Sequence, residues 1–87
     1  MVKPYTQEIL EKSVIVRTFS SDVEEKDLQW HWDEEDRLIE AMEKTDWKFQ
    51  FDNELPISFS ESIFIERGRI HRIIKGSEDL KLKITFL

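Results

Sequence analysis

Three residues carry the clearest candidate chemistry in this sequence: His31, Asp33 and His71, where His31 and His71 are the only histidines. Side chains two positions apart on a strand project from the same face, so His31 and Asp33 would share one face if their segment is extended. Two imidazoles and one carboxylate suit Fe(II), Mn(II), Ni(II) or Zn(II). Histidines in a small β protein also act as packing or surface groups, and the residue types alone leave both roles open.

Three further polar residues are candidate ligand-binding groups: Arg37, Glu40 and Gln50. Arginine binds carboxylates and phosphates through paired hydrogen bonds, so Arg37 and the histidines could hold a small anionic molecule. Alternatively, Arg37 pairs with Asp33 and closes the site structurally, since a guanidinium among metal ligands repels a cation. Glu40 and Gln50 could orient a water or a substrate if either faces the same cavity.

The elements that would position these residues are mostly strands. Residues 14–19 form a β-branched run, and the second half of the chain alternates apolar and polar residues with a period of two. The alternating segments are residues 47–51, 57–59, 63–65, 70–74 and 80–86. Short strands separated by turn signals, here at Gly68 and Gly76, predict an all-β sandwich or barrel.

Two segments are ambiguous. Residues 33–43 contain strong helix formers with apolar residues on one face, and Asp33 could cap them, so propensity predicts a helix. The alternative is an acidic loop followed by a strand over residues 37–42. Residues 1–12 are compatible with a short helix capped by Thr6 or with an edge strand.

The segment of residues 62–72 resembles the second sequence motif of the cupins. That motif is a strand that ends in a proline, followed by a glycine two positions later and a histidine three positions after that. Gly68 and His71 match this spacing, Glu66 stands at the proline position, and Ser62 lies near another habitual glycine.

Residues 30–40 resemble the first cupin motif, in which two histidines one residue apart precede a glutamate at the start of a strand. His31 matches the first histidine, Asp33 occupies the position of the second, and Arg37 falls near the glutamate. Together the two motifs extend over about residues 27–87.

The resemblance implies a small jelly-roll barrel with a strand, instead of a helix, at residues 37–42. It also implies that His31 and His71 meet inside the barrel, where they and Asp33 would form a site for a divalent transition metal such as Fe, Mn, Ni or Zn. The short stand-alone cupins that this chain resembles include many without an assigned activity.

Composition narrows the class of protein. A length of 87 residues predicts one domain, residues 1–87, and the net charge of −6 disfavours nucleic-acid binding. No apolar run reaches the length of a membrane span, and the absence of cysteine favours a cytoplasmic location. The thin stability margin of a small domain favours a homodimer. Trp30 and Trp32 are candidates for core packing or for a dimer contact.

Two functions from different classes follow from these observations. The first is a cupin-like binding or structural module with a site in the barrel interior, which the missing second histidine and glutamate favour. The alternative is a metal-dependent cupin enzyme with a centre of two histidines and one aspartate. Whether the protein is an enzyme is left open.

Overall fold

The computed structural model describes residues 3–87, which form strands and one short turn of 3-10 helix at Glu25–Asp27. The strands are β1 Tyr5–Glu11, β2 Val14–Phe19, β3 Arg37–Ala41, β4 Lys48–Phe51, β5 Ile57–Ser58, β6 Ile63–Ile65, β7 His71–Ile74 and β8 Leu80–Phe86. Residues 1 and 2, where the predicted single domain begins, lie outside the described part.

The strands form two antiparallel sheets that enclose one apolar core. One sheet has the order β1-β2-β8-β3-β6, and the other has the order β5-β4-β7. Side chains from the two sheets and from the residues next to them meet in this core, as when the rings of Phe19 on β2 and Trp47, just before β4, approach with centroids 6.0 Å apart. The predicted all-β architecture is therefore confirmed. Across residues 3–87, no helix is long and apolar enough to cross a bilayer.

Residues 37–41 form a strand, so the helix that propensity predicts for residues 33–43 is wrong. The strand β3 pairs with β6 on one side and with β8 on the other, with Ile39 opposite both Ile63 and Ile84. These three isoleucines are buried in the core. Pairing on two sides and burial of Ile39 outweigh the helix preference of the neighbouring charged residues, because packing decides strand stability more than propensity does.

The N-terminal segment adopts the strand alternative. Residues Tyr5–Glu11 pair along their length with β2, and β1 forms one edge of the larger sheet. Ile9 and Leu10 are exposed on this edge. The first strand therefore contributes backbone hydrogen bonds to the sheet, and most of its side chains lie outside the core.

A close approach of two loops fixes the position of Trp47 at one end of the core. The Asp46 carboxylate accepts a hydrogen bond of 2.9 Å from the Ser77 backbone N–H. A Cβ atom on Gly76 would lie only 2.2 Å from Asp46 Oδ1 and 2.7 Å from the Trp47 backbone nitrogen. Only glycine fits at position 76 without moving one of these loops.

Asp46 should make the stability of the fold sensitive to acid. The Ser77 N–H holds the pKa of the Asp46 carboxyl below its ordinary value, so the carboxylate stabilises the folded state above pH 4 or so. This contribution is lost as the pH falls through the lowered pKa. We expect metal-free Asp46→Asn to lose less stability than wild type between pH 5 and pH 3, measured by urea unfolding.

The matched control is Asp52→Asn, which removes an exposed carboxylate from a turn. An equal loss of stability on acidification in wild type and Asp46→Asn would contradict the role assigned to the Asp46–Ser77 hydrogen bond.

Candidate metal centre

A cavity of about 710 Å³ lies between the two sheets, and His31, Asp33 and His71 line it together. The strands supply its apolar wall, formed by Phe19, Ile39, Phe49, Ile65, Ile73, Leu82 and Ile84. Lys26, Asp27, Gln29 and His31 are exposed and line the cavity as well, so solvent reaches it from the side of the segment before β3.

The backbones of His31 and His71 pair with each other, which brings the two imidazoles together. Each residue donates its N–H to the carbonyl of the other, at 3.0 and 2.9 Å, as in an antiparallel bridge. The ring centroids are 4.3 Å apart in an edge-to-face arrangement. His71 is buried and stacks on Phe49, whereas His31 is exposed at the cavity entrance.

The same nitrogen of both imidazoles is bound to a backbone carbonyl. His31 Nδ1 lies 3.1 Å from the Gln29 carbonyl oxygen, and His71 Nδ1 lies 2.7 Å from the Arg69 carbonyl oxygen. A carbonyl accepts hydrogen bonds only, so Nδ1 carries a proton in each ring, and a ring in its neutral form has a free lone pair on Nε2. Metal-binding histidines commonly have this type of support for the second ring nitrogen.

Asp33 supplies the third group of the cluster. One ligand atom from each of His31, Asp33 and His71 lies within 4.8 Å of the other two. Asp33 Oδ2 is buried, 3.3 Å from His71 Nε2, and it accepts no hydrogen bond from the described residues. With a neutral His71, this oxygen and this nitrogen face each other with lone pairs and with no hydrogen between them.

The charge of Asp33 is favoured by its surroundings. Burial acts to raise the pKa of its carboxyl, but the contact with His71, the charge of Arg37 and the charges that the two imidazoles carry when protonated outweigh burial, so the pKa is lower than usual. A carboxylate, not a carboxylic acid, therefore faces the two imidazoles near neutral pH, and carboxylate is the form that binds metal ions.

The loop before β3 and the turn before β7 are held together by the backbone. The Gly68 N–H donates to the Asp33 carbonyl oxygen at 2.9 Å, and Asp36 Oδ1 accepts the Arg67 N–H at 2.7 Å. Gly68 has a φ of 80°, a conformation that glycine adopts without strain. These bonds place the two sequence motifs side by side.

Arg37 pairs with carboxylates at the rim of the cluster. Its Nε donates to Glu35 Oε1 at 2.7 Å, one terminal nitrogen lies 2.6 Å from the same oxygen, and that nitrogen is 3.4 Å from Asp33 Oδ1. Arg37 thus contacts Oδ1 and leaves Oδ2 of Asp33 facing the histidines. The sequence left two roles open for Arg37, binding of an anionic molecule or pairing with Asp33. The geometry agrees with pairing.

The structure does not bring Glu40 or Gln50 to the cluster. Each alternates with a cavity-lining neighbour, Ile39 and Phe49 respectively, and neither lines the cavity itself. Glu40 stands opposite Lys83 on β8, and Gln50 accepts a hydrogen bond from Arg72 at 2.9 Å. Their geometry gives no support to the ligand-binding roles considered for them.

Trp30 and Trp32 point away from the cavity, as expected for residues that flank His31 in an extended segment. Their exposed fractions are 42% and 57%, so core packing is wrong as an explanation for either. The Trp30 ring packs under the Arg72 guanidinium, at 4.5 Å from its centroid.

Arg17 is a cavity residue that the sequence analysis missed. It lines the cavity from β2, on the same strand face as the buried residues Ile15 and Phe19. Its position in the sequence could have indicated this role, because a charged residue between two inward-facing apolar residues of a strand is unusual.

Comparisons with known proteins give a fold but no sequence family: no family and no curated protein matches this sequence. The crystal structure of a cupin domain from Bordetella pertussis Tohama I matches all of this chain and 98% of its own, with a TM-score of 0.58 and 16% identity. This chain has the cupin fold. The resemblance noted from the two motifs is thereby confirmed at the level of fold.

Two larger proteins contain a similar cupin fold. The Fe(II) form of HppE matches 95% of this chain and 48% of its own, with a TM-score of 0.65 and 17% identity. A structure of DMSP lyases matches 84% of this chain and 36% of its own, with a TM-score of 0.67 and 13% identity. The chain thus spans about a third to a half of these two proteins.

Proposed function

We propose that this protein binds one divalent transition-metal ion through His31, Asp33 and His71, within a cavity that also admits a small molecule. The observation that carries the proposal is the convergence of one ligand atom from each histidine on Asp33, whose buried Oδ2 accepts no hydrogen bond from the described residues. A buried polar atom without a partner is costly, and a cation placed among these three ligand atoms removes that cost.

The donor set agrees with the class of metal. Two imidazoles and one carboxylate are ligands for Fe(II), Mn(II), Ni(II) or Zn(II), and three protein ligands leave coordination positions for other molecules. Similar cupin folds support this class, since HppE structures contain Fe(II) and, in a complex with substrate, Co(II). A bound ion would supply Lewis-acid or redox chemistry at one end of the cavity.

The protein's own residues would prepare the site for that ion. The carbonyl oxygens of Gln29 and Arg69 fix the ring tautomers, and Arg37 holds Asp33 by its other oxygen. Phe49 stacks on His71 and limits its rotation. These contacts orient the ligands before binding, which is the usual role of groups behind a metal site.

A second function, a metal-free binding module, is favoured by a different observation. The negative charge of Asp33 already has a cationic neighbour in Arg37, and a doubly protonated His71 would donate from Nε2 to Asp33 Oδ2. In that state a proton bridges the pair in place of a metal, and the cavity binds its ligand by charge and shape alone.

Metal content distinguishes the two functions. Metal-free protein would be dialysed anaerobically against Fe(II), Mn(II), Ni(II) or Zn(II) and analysed by plasma mass spectrometry. We expect about one ion per chain in wild type and none in His71→Phe, which keeps an aromatic ring against Phe49 but removes the ligand nitrogen. Asp52→Asn controls for metal held by surface carboxylates.

No stoichiometric metal in folded wild type would reject the metal-binding proposal and leave the metal-free binding module. Equal metal in wild type and His71→Phe would place the ion elsewhere. The catalytic alternative, a metal-dependent cupin enzyme, depends on the first result, because its reaction would use the same three ligands.

We also propose that the protein is cytoplasmic and that it forms a homodimer. The exposure of Trp30 and Trp32 supports their role in a contact between subunits, since aromatic residues are enriched at interfaces.

A further inference from the structure

Arg17 has an arrangement that leaves part of its guanidinium free inside the cavity. Its Nε donates to the neutral amide oxygen of Gln7 at 2.9 Å, and its guanidinium carbon lies 4.2 Å from the centroid of the Tyr5 ring. Among residues 3–87, no carboxylate lies within ion-pair distance of Arg17. Its terminal nitrogens therefore remain available as donors.

Arg37, the second arginine that lines the cavity, is already paired with carboxylates. Arg37 binds Glu35 through two nitrogens and also contacts Asp33. An anion approaching Arg37 would have to displace Glu35 and would face the charges of both carboxylates. This contrast assigns anion binding to Arg17 and reserves Arg37 for the support of Asp33.

The position of Arg17 suits a ligand that reaches from it toward the metal centre. Arg17 on β2 and Arg37 on β3 lie on the inner face of one sheet with β8 between them, and Arg17 stands opposite Leu82. Both arginines, His31, Asp33 and His71 line the same cavity. Burial lowers the pKa of Arg17, but a guanidinium stays charged near neutral pH.

Two other charged residues at the cavity entrance do not replace Arg17. Lys26 is exposed and lies 3.4 Å from Glu24, while Asp27 next to it brings an opposite charge to the same entrance. Between them they leave the entrance without a net positive charge.

We propose that Arg17 binds the oxyanion end, a carboxylate or a phosphate group, of a small ligand whose other end lies near His31, Asp33 and His71. Two parallel hydrogen bonds from the guanidinium fit either oxyanion. The inference deepens the proposed function by naming a ligand class for the same cavity, but the docking of the anion on Arg17 does not require the metal.

The test uses inorganic phosphate and glutarate as probes on the metal-free protein. Backbone amide signals of the cavity-lining residues in NMR spectra give the affinity in wild type and in every variant, and wild type is also followed at the Arg17 Nε–H signal. We expect both probes to shift this signal in a saturable way, and the tighter probe indicates whether a tetrahedral or a planar oxyanion is preferred. Arg17→Gln should weaken binding about tenfold or more, because a charge-assisted pair of bonds is lost. Arg17→Lys keeps only the charge, so its affinity for each probe should lie between those of wild type and Arg17→Gln.

The chain offers a closely matched control in Arg72. Its Nε donates to Gln50 Oε1 at 2.9 Å and its guanidinium covers the Trp30 ring, as Arg17 does with Gln7 and Tyr5, but Arg72 does not line the main cavity. Arg72→Gln should leave the affinity for both probes unchanged. Backbone amide spectra of each variant would show that the fold is intact.

The possible outcomes separate this inference from the metal proposal. Failure of both probes to bind wild type, or equal weakening in Arg17→Gln and Arg72→Gln, overturns the role of Arg17 whatever the metal content. Loss of binding only in the Arg17 variants supports it even if dialysis shows no metal.

Discussion

Addition of Zn(II) to the metal-free protein is expected to raise its free energy of unfolding by about 4 kcal/mol at a free metal concentration about a thousandfold above Kd. The physical reason is that folding brings together ligands that are far apart in the unfolded chain, since His31 and His71 are separated by 40 positions. For a domain of this size, each kcal/mol raises Tm by about 4 to 8 °C. Calorimetry with and without metal would measure the shift.

Variants of the ligands should lose this stabilisation while remaining folded. Asp33→Asn preserves shape but removes the charge that faces the two imidazoles, and His71→Phe preserves the stack on Phe49. We expect the Tm of both to be nearly independent of Zn(II), whereas Asp52→Asn should respond as wild type does. An unchanged Tm of wild type at saturating metal would count directly against a metal centre in the cavity.

Much of the fold is predictable because strand periodicity survives in the sequence. Leu80, Leu82 and Ile84 are buried and alternate with lysines and a threonine, which marks both the strand and its inner face. Residues 33–43 were misleading because Glu, Ala and Met favour a helix locally. The pairing of Arg37–Ala41 with β6 and β8 is non-local, and no short window of sequence contains it.

The candidate site was predictable to the extent that its residues fall in motifs. The resemblance of residues 30–40 and 62–72 to cupin motifs implied that His31, Asp33 and His71 would meet, and the structure brings them together. Glu40 and Gln50 could bind a ligand only from the inner face of their strands, so their roles could be judged only once that face was known. At residue 50 the alternation of Phe49 and Phe51 already indicated that Gln50 faces the other way.

The supporting contacts could not be predicted from sequence. The Gln29 and Arg69 carbonyl oxygens that fix the ring tautomers belong to the backbone, so their side chains give no signal. The separation of roles between Arg17 and Arg37 depends on which carboxylates lie within reach. That depends on the loop around Glu35, whose conformation has no periodic pattern.

Trp47→Ala is expected to destabilise the protein by about 3 to 5 kcal/mol, as a large-to-small substitution in a packed core. Trp47 is fully buried and packs against Phe19, and its Nε1 donates to the Glu78 carbonyl. A domain of this length has a total stability of about 4 to 13 kcal/mol, so this single change removes a large share of it. Urea unfolding of metal-free protein would measure the loss.

Trp47→Phe separates the packing of Trp47 from its hydrogen bond. Phenylalanine retains most of the buried ring but cannot donate to the Glu78 carbonyl. Because Glu78 is exposed, water can replace the lost donor. We expect Trp47→Phe to cost less than half of the loss caused by Trp47→Ala. Equal losses would mean that the bond to Glu78, and with it the closure of the loop beside Gly76, stabilises the fold more than the packing of the ring does.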